Sequence, residues 1–255
     1  MSGRPLTSSG SPMKLTMLDG GHFTSAAGLW RRGDDMERQV RFPIPVYLIE
    51  AGSERILIDA GLHPAAAADA ESHYAGAASI RYFGLELNAS IAQQLDLDSL
   101  TGVVVTHLHF DHAGGLALLP PSLPIYVQGR EWEAGRDPAA IARNFYLPRD
   151  YEEVGDQVVL VDGDHDLLGD GSIRLLFTPG HTPGHQSVQI GERLVISGDV
   201  THFASGLDDH RFPIFGDDLD AQRGSAQRLR ALREAGVTVR PGHDPTVLTP
   251  GAIPL

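Results

Sequence analysis

The run Val103-Val104-Val105-Thr106-His107-Leu108-His109-Phe110-Asp111-His112-Ala113-Gly114-Gly115 constrains this chain more than any other stretch. Its apolar, β-branched start, Val103–Thr106, reads as a buried strand that runs directly into four side chains able to bind a cation. Side chains of an extended segment alternate with period two, so His107 and His109 point the same way. A turn at Asp111-His112 then aims a second pair at a neighbouring point. Zinc accepts imidazole nitrogen and carboxylate oxygen, typically four ligands in all. One ion does not easily use every donor here; two adjacent ions can.

Further donors follow strands elsewhere. Ile173–Thr178 leads into Pro179-Gly180-His181-Thr182-Pro183-Gly184-His185, Leu194–Ser197 into Gly198-Asp199, and Val237–Arg240 into Pro241-Gly242-His243-Asp244. Each pairs an apolar strand with a Gly beside a His or Asp, and Gly lets the backbone turn sharply and approach an ion. Four strand ends presenting ligands at one sheet edge would build a two-metal site on a rigid scaffold. The 12 His of the 255 residues are the compositional counterpart of this pattern.

Composition removes other chemistries. With no Cys there is no disulfide, thiolate nucleophile, Cys-ligated zinc or iron–sulfur cluster. A formal net charge of −13 argues against nucleic acid or an anionic membrane as partner. The longest apolar runs fall far short of the ~20 residues of a membrane-spanning helix. Residues 1–12, rich in Pro, Ser and Gly, read as a disordered leader without a signal-peptide core, which points to a cytoplasmic protein.

Additional short apolar segments read as strands: Leu15–Leu18, Val46–Glu50, Arg55–Asp59, Ile125–Gln128, Val158–Val161 and Gln186–Ile190. The clearest helix is Asp218–Ala235, with Asp218 as N-cap, Ala226, Leu229 and Leu232 on one face, and Gly236 placed to stop it. Asn88–Leu95 is a second candidate. No repeat or linker interrupts residues 13–255, so one mixed α/β domain of sheets covered by helices is expected.

At this point the His107–His112 run matches the His-x-His-x-Asp-His signature of the metallo-β-lactamase superfamily, which the chain resembles from about Lys14 to His243. The resemblance implies an αββα sandwich, two mixed sheets flanked by helices, with the site at one edge. Carried over by motif, His107, His109 and His181 would hold one metal, Asp111, His112 and His243 the other, and Asp199 would bridge both. Two Zn²⁺ are the implied cofactors, other divalent metals being admissible. Asp59, in Ile58-Asp59-Ala60-Gly61, matches the superfamily's Asp-Thr-Gly and would either support the ligands or cap a turn.

The branch resembled best is that of the N-acyl-homoserine lactonases, the quorum-quenching hydrolases. It fits in length, in the wording of Leu108–Gly115, in the segment Phe42–Ile49, and in the short tail after His243. That branch implies opening of a small-molecule lactone by a metal-bridging hydroxide, in a monomer or homodimer, with Asp111 orienting the hydroxide or shuttling its proton. It usually carries Tyr three positions after the bridging Asp, where this chain has His202. His202 is then either a hydrogen-bond donor to the oxyanion or a loop histidine in solvent. Methyl-parathion-type hydrolases share that His, so an ester or organophosphate substrate is the alternative, and a non-catalytic metal-binding module the third.

An acyl chain needs an apolar groove. Trp30, Phe42, Phe83, Phe145, Tyr146, Phe203, Phe212 and Phe215 are candidates to line it, more of them expected in the core than in the pocket. His22, His63, His73, His165 and His210 are expected at the surface, and His185 in a turn or as support behind the ligands.

Overall fold

The computed structural model describes residues 13–255; the leader expected over 1–12 lies outside the described residues. Among the described residues, thirteen strands form two sheets. They are β1 (Lys14–Ala26), β2 (Gln39–Ala51), β3 (Glu54–Ile58), β4 (Gly84–Glu86), β5 (Gly102–Val104), β6 (Ile125–Gln128), β7 (Val158–Val161), β8 (His165–Asp166), β9 (Ile173–Phe177), β10 (Gln186–Ile190), β11 (Leu194–Ile196), β12 (Thr238–Arg240) and β13 (Gly251–Ile253). The first sheet runs β13-β1-β2-β3-β5-β6-β7 with β4 on β1, and the second β12-β11-β10-β9-β8. Both are mixed: β3, β5, β6 and β7 pair in parallel, as do β11 and β12, and the other pairings are antiparallel.

Strand alternation sorts the apolar residues into layers. Tyr47, Ile49, Ile56, Ile58 and Val104 face the second sheet and meet Ile173, Leu175, Val188 and Ile196 between the sheets. Val46, Leu48, Leu57, Val103 and Val105 point the opposite way and pack with Leu108, Leu116 and Tyr151 of the loops and short helical turns that cover this face. On the far side, Leu176 and Val195 are covered by Ala226 and Leu229 of the Leu219–Glu234 helix. The result is the expected helix–sheet–sheet–helix order. No helix among the described residues is long and apolar enough to cross a membrane.

The Leu219–Glu234 helix starts as expected: Asp218 Oδ1 accepts from Asp220 N at 2.9 Å and Ala221 N at 3.0 Å. The Asn88–Leu95 candidate shortens to Ile91–Gln94, and the Gln94 amide leaves it to donate to Asp19 O of β1 at 2.7 Å.

Strands β1 and β2 are much longer than Leu15–Leu18 and Val46–Glu50 suggested. Pro43 and Pro45 conceal the extension, yet they are tolerated because β3 pairs only with Tyr47–Ala51 and leaves that half of β2 paired with β1 alone. A bulge in β1 between Asp19 and His22 lies opposite them. β4, β8 and β13, each of two or three residues, are too short for alternation to reveal.

Candidate metal centre

Four connections leave the sheets at one edge and meet. After β5, Thr106 and His107 turn the chain into a one-turn helix, Phe110–Ala113, closed by Ala113 N donating to His109 O at 2.8 Å. That turn aims Asp111 and His112 into the buried cluster. The connections after β9, β11 and β12 deliver His181, Asp199 and His243. All seven expected ligands except His109, which is half-buried, are essentially removed from solvent.

Asp199 divides the cluster. Its Oδ2 lies 3.3 Å from His181 Nε2 and 3.8 Å from His107 Nε2. Its Oδ1 lies 3.3 Å from His243 Nε2 and 3.6 Å from His112 Nε2. His109 Nδ1 joins the first set, 3.0 Å from His107 Nε2 and 3.1 Å from His181 Nε2. Asp111 Oδ2 joins the second, 3.3 Å from His243 Nε2 and 3.6 Å from His112 Nε2.

The outward ring nitrogens decide which nitrogens face in. His109 Nε2 donates to Asn144 O at 2.8 Å, His243 Nδ1 to Pro43 O at 2.8 Å, and His112 Nδ1 to Asp59 Oδ2 at 2.7 Å. Asp59, in the left-handed region at φ 61, also accepts from Thr106 N at 2.7 Å and Thr106 Oγ1 at 2.8 Å. It therefore supports His112 and ties down the chain leading to His107.

Converging imidazole nitrogens and carboxylate oxygens with no sulfur are a donor set for zinc or a similar divalent cation. Asp111 Oδ2 and Asp199 Oδ1 are buried without a hydrogen-bond partner, an arrangement expensive for a carboxylate unless a cation meets it. The residues fit two such ions. Burial, reinforced by neighbouring histidines, holds His107 well below the usual imidazole range, and burial does the same to His181. For His112 and His243 burial acts downward too, but the carboxylates around them, Asp111 and Asp199, outweigh it and the pKa rises.

Close approach explains two glycines. A Cβ on Gly242 would fall on Asp199 Oδ1. Gly198, at φ 53, has a Cβ position overlapping the His185 ring. His185 is a support and not a turn residue: its Nε2 accepts from Asp199 N at 2.9 Å while Nδ1 donates to Thr178 O at 3.1 Å.

His202 is not a solvent histidine. It is 2% exposed, its Nε2 lies 3.0 Å from Asp199 Oδ2, and its ring packs 5.1 Å from Trp30. Its nitrogen also lies within 4.8 Å of donor atoms of Asp199 and His243. A second correction concerns His73, expected at the surface. It is buried, stacked on His63 at 4.5 Å and against the neighbouring Tyr74 ring at 4.7 Å, with its Nε2 3.9 Å from Asp150 Oδ1. His22, His63 and His210 are partly covered and His165 is exposed.

An apolar cavity of about 290 Å³ opens beside His109 and Asp111. Of the candidate aromatics, Trp30, Phe83, Phe145 and Phe215 line it. Phe42, Tyr146 and Phe212 are core residues, and Phe203 packs partly buried against the aromatic cluster. Leu29, Ser79, Tyr82 and Ile214 line it unforeseen, since no motif marks them, and Phe110 from within the histidine run completes the lining. Glu131, Asn144 and Thr106 were missed as well, because each acts through contacts that sequence spacing does not reveal.

Residues 40–243 match the family model described as metallo-beta-lactamase superfamily. A relative named N-acyl homoserine lactonase AttM, from Azorhizobium caulinodans, is 28% identical over 248 residues, 91% of this chain and 94% of its own. N-acyl homoserine lactonase AiiA of Bacillus thuringiensis subsp. kurstaki is 27% identical over 218 residues, 80% of this chain and 82% of its own. Among solved structures, an N-acyl homoserine lactone hydrolase with the product N-hexanoyl-L-homoserine at its catalytic metal centre superposes with a TM-score of 0.79 at 24% identity, covering 91% of this chain and 94% of that one. AidC, a dizinc quorum-quenching lactonase, superposes with a TM-score of 0.67 at 17% identity, covering 95% and 94%.

Proposed function

The chain belongs to the metallo-beta-lactamase superfamily, and from that premise we propose that it is a metal-dependent hydrolase that opens the ring of N-acyl-homoserine lactones on a pair of divalent cations, zinc first among them. The observation that carries this is the division of Asp199, whose two buried oxygens face two separate histidine sets. The lactone assignment is supported by the names of the relatives that align over most of the chain. Residues 13–255 act as one domain in this reading, since the two sheets share one apolar core.

Two cations bound there would lower the pKa of water so that it attacks at neutral pH, and would polarise the lactone carbonyl. The chain's own residues supply the rest. Asp199 holds the two ligand sets in register. Asp111, at the floor of the cavity, orients the attacking water and takes up its proton. His202 donates to the developing oxyanion. The ring C–O bond breaks, and the alkoxide leaving group takes the proton to give an N-acyl homoserine. The apolar cavity receives the acyl chain and keeps bulk water from it.

The test is a panel of homoserine lactones of graded acyl length, simple lactones, aryl esters and an organophosphate, with the zinc-loaded protein. Acyl-homoserine lactones should give the highest kcat/KM, rising roughly fourfold per added CH₂, or ~0.8 kcal/mol, until the cavity is filled. The imidazole of His202 beside Asp199, with the aromatic cavity wall, favours a second reading: an ester or organophosphate hydrolase on the same site. Turnover of those substrates without lactone opening would establish it instead. Metal uptake without any turnover would leave a metal-binding module.

A further inference from the structure

Glu131 lies in the Gly129–Ala134 helix, and its side chain is completely buried. Its Oε1 accepts from Leu108 N at 2.9 Å and from Tyr146 Oη at 2.8 Å, and its Oε2 accepts from Gly184 N at 2.9 Å. Leu108 stands between His107 and His109, and Gly184 lies in the loop that carries His181. One carboxylate thus joins the two loops that supply the His107–His109–His181 set, and touches nothing of the Asp111–His112–His243 set. A Cβ on Gly184 would fall on the Glu131 backbone, so that loop must run close against the helix at this point.

The same stretch of chain holds this set a second time. Asn144 O accepts a hydrogen bond from His109 Nε2, and the ring of Tyr146 lies 5.6 Å from that of His109. The other set is anchored elsewhere, by Asp59 on His112 and Pro43 O on His243. Burial pushes the Glu131 carboxyl up, while the donors around it oppose the rise.

We propose that Glu131 is a positioning residue that sets the cation affinity of the His107–His109–His181 half of the centre, and leaves the other half to Asp59. The proposal rests on the two-cation reading above. Its physical reason is the accounting at the carboxylate: three donors meet two oxygens, so glutamine sets an amide N–H against a backbone or hydroxyl donor in either orientation. The loops must then move, and the ligands with them. Loss of a partner behind metal ligands typically costs 10–100-fold in affinity.

The test uses the full-length zinc-loaded protein dialysed against graded concentrations of a chelator, with zinc per chain measured by elemental analysis and folding checked by circular dichroism. Wild type should retain two ions. Glu131→Gln should release one of them at a roughly 10–100-fold lower chelator activity and keep the other at the wild-type midpoint. His109→Ala, which breaks the same half, should make Glu131→Gln nearly silent toward the remaining ion. His243→Ala, which breaks the opposite half, should leave Glu131→Gln costly. Tyr146→Phe, which removes one donor and keeps the carboxylate, should weaken the same ion by a smaller factor, and it serves as the deciding variant if Glu131→Gln does not fold. Retention curves unchanged from wild type, or both ions weakened together, would overturn the role of Glu131 alone. A wild type that holds fewer than two ions would overturn the two-cation reading and this asymmetry with it.

Discussion

His202 Nε2 lies 3.0 Å from Asp199 Oδ2, on the oxygen that faces His107 and His181. The contact places an imidazole at the edge of the metal centre, under Trp30 and next to the His243 ring. A donor to an oxyanion acts in the transition state and little in the ground state. His202→Ala should therefore lower kcat by roughly 10–1000-fold with a smaller change in KM, while zinc stays at two per chain. His202→Tyr, which restores a ring donor, should recover much of the loss. Loss of one zinc in His202→Ala would make it a ligand instead.

Gly242 has no room for a side chain, because a Cβ there would lie 2.3 Å from Asp199 Oδ1. Gly242→Ala should displace the shared carboxylate or the backbone beside it. Overpacking of this kind costs about 1–3 kcal/mol, and here it falls on the residue that both ligand sets face. Thermal melts and zinc analysis should show a destabilised protein with reduced zinc content. A variant with wild-type melting and full zinc would contradict the close approach.

Chelation should lower the melting temperature. Asp111 and Asp199 bring two buried carboxylates among five histidine rings, a cluster that folding assembles and the unfolded chain lacks. A ligand that binds only the folded form at 1,000 times its Kd contributes about 4 kcal/mol. Calorimetry of the zinc-loaded and stripped protein should show a gap that grows with free zinc. Identical curves after verified stripping would uncouple the site from folding.

Asp150 sets a pH dependence of stability at neutral to alkaline pH. Burial pushes its carboxyl up to about 8, against the hydroxyl of Tyr74, which donates to both oxygens at 3.1 Å. An unfolded Asp titrates near 3.9, so between about 4 and about 8 the folded protein keeps a proton that the unfolded chain has lost. Stability must fall as the pH rises through that window. His73, which burial lowers to about 4, acts in the opposite sense below about 6.5, and His112 and His243, raised by their carboxylate neighbours, act in the same sense as Asp150 in zinc-free protein, so the comparison is made on the zinc-loaded protein. Asp150→Asn should flatten the decline in melting temperature between about pH 6.5 and 8.5. An unchanged slope would place the decline elsewhere.

What the sequence determined by itself was local. Ligands that follow a strand within a few residues, with Gly beside them, are legible because alternation and turn chemistry act over that same short range. His107 to His112, His181, Asp199 and His243 stood out as candidates for this reason, as did the mixed α/β class, while the αββα layering was implied by the resemblance of the histidine run to its superfamily. Tertiary structure decided what depends on distant pairs. Which nitrogen each histidine turns inward is set by Asn144 O, Pro43 O and Asp59, residues far from their partners along the chain. Glu131 reads as an ordinary helix carboxylate until the fold lays Leu108 and Gly184 against it. His202 and His73 were indistinguishable from solvent histidines because burial is a property of what packs over a residue, and here that is Trp30 in one case and His63 in the other.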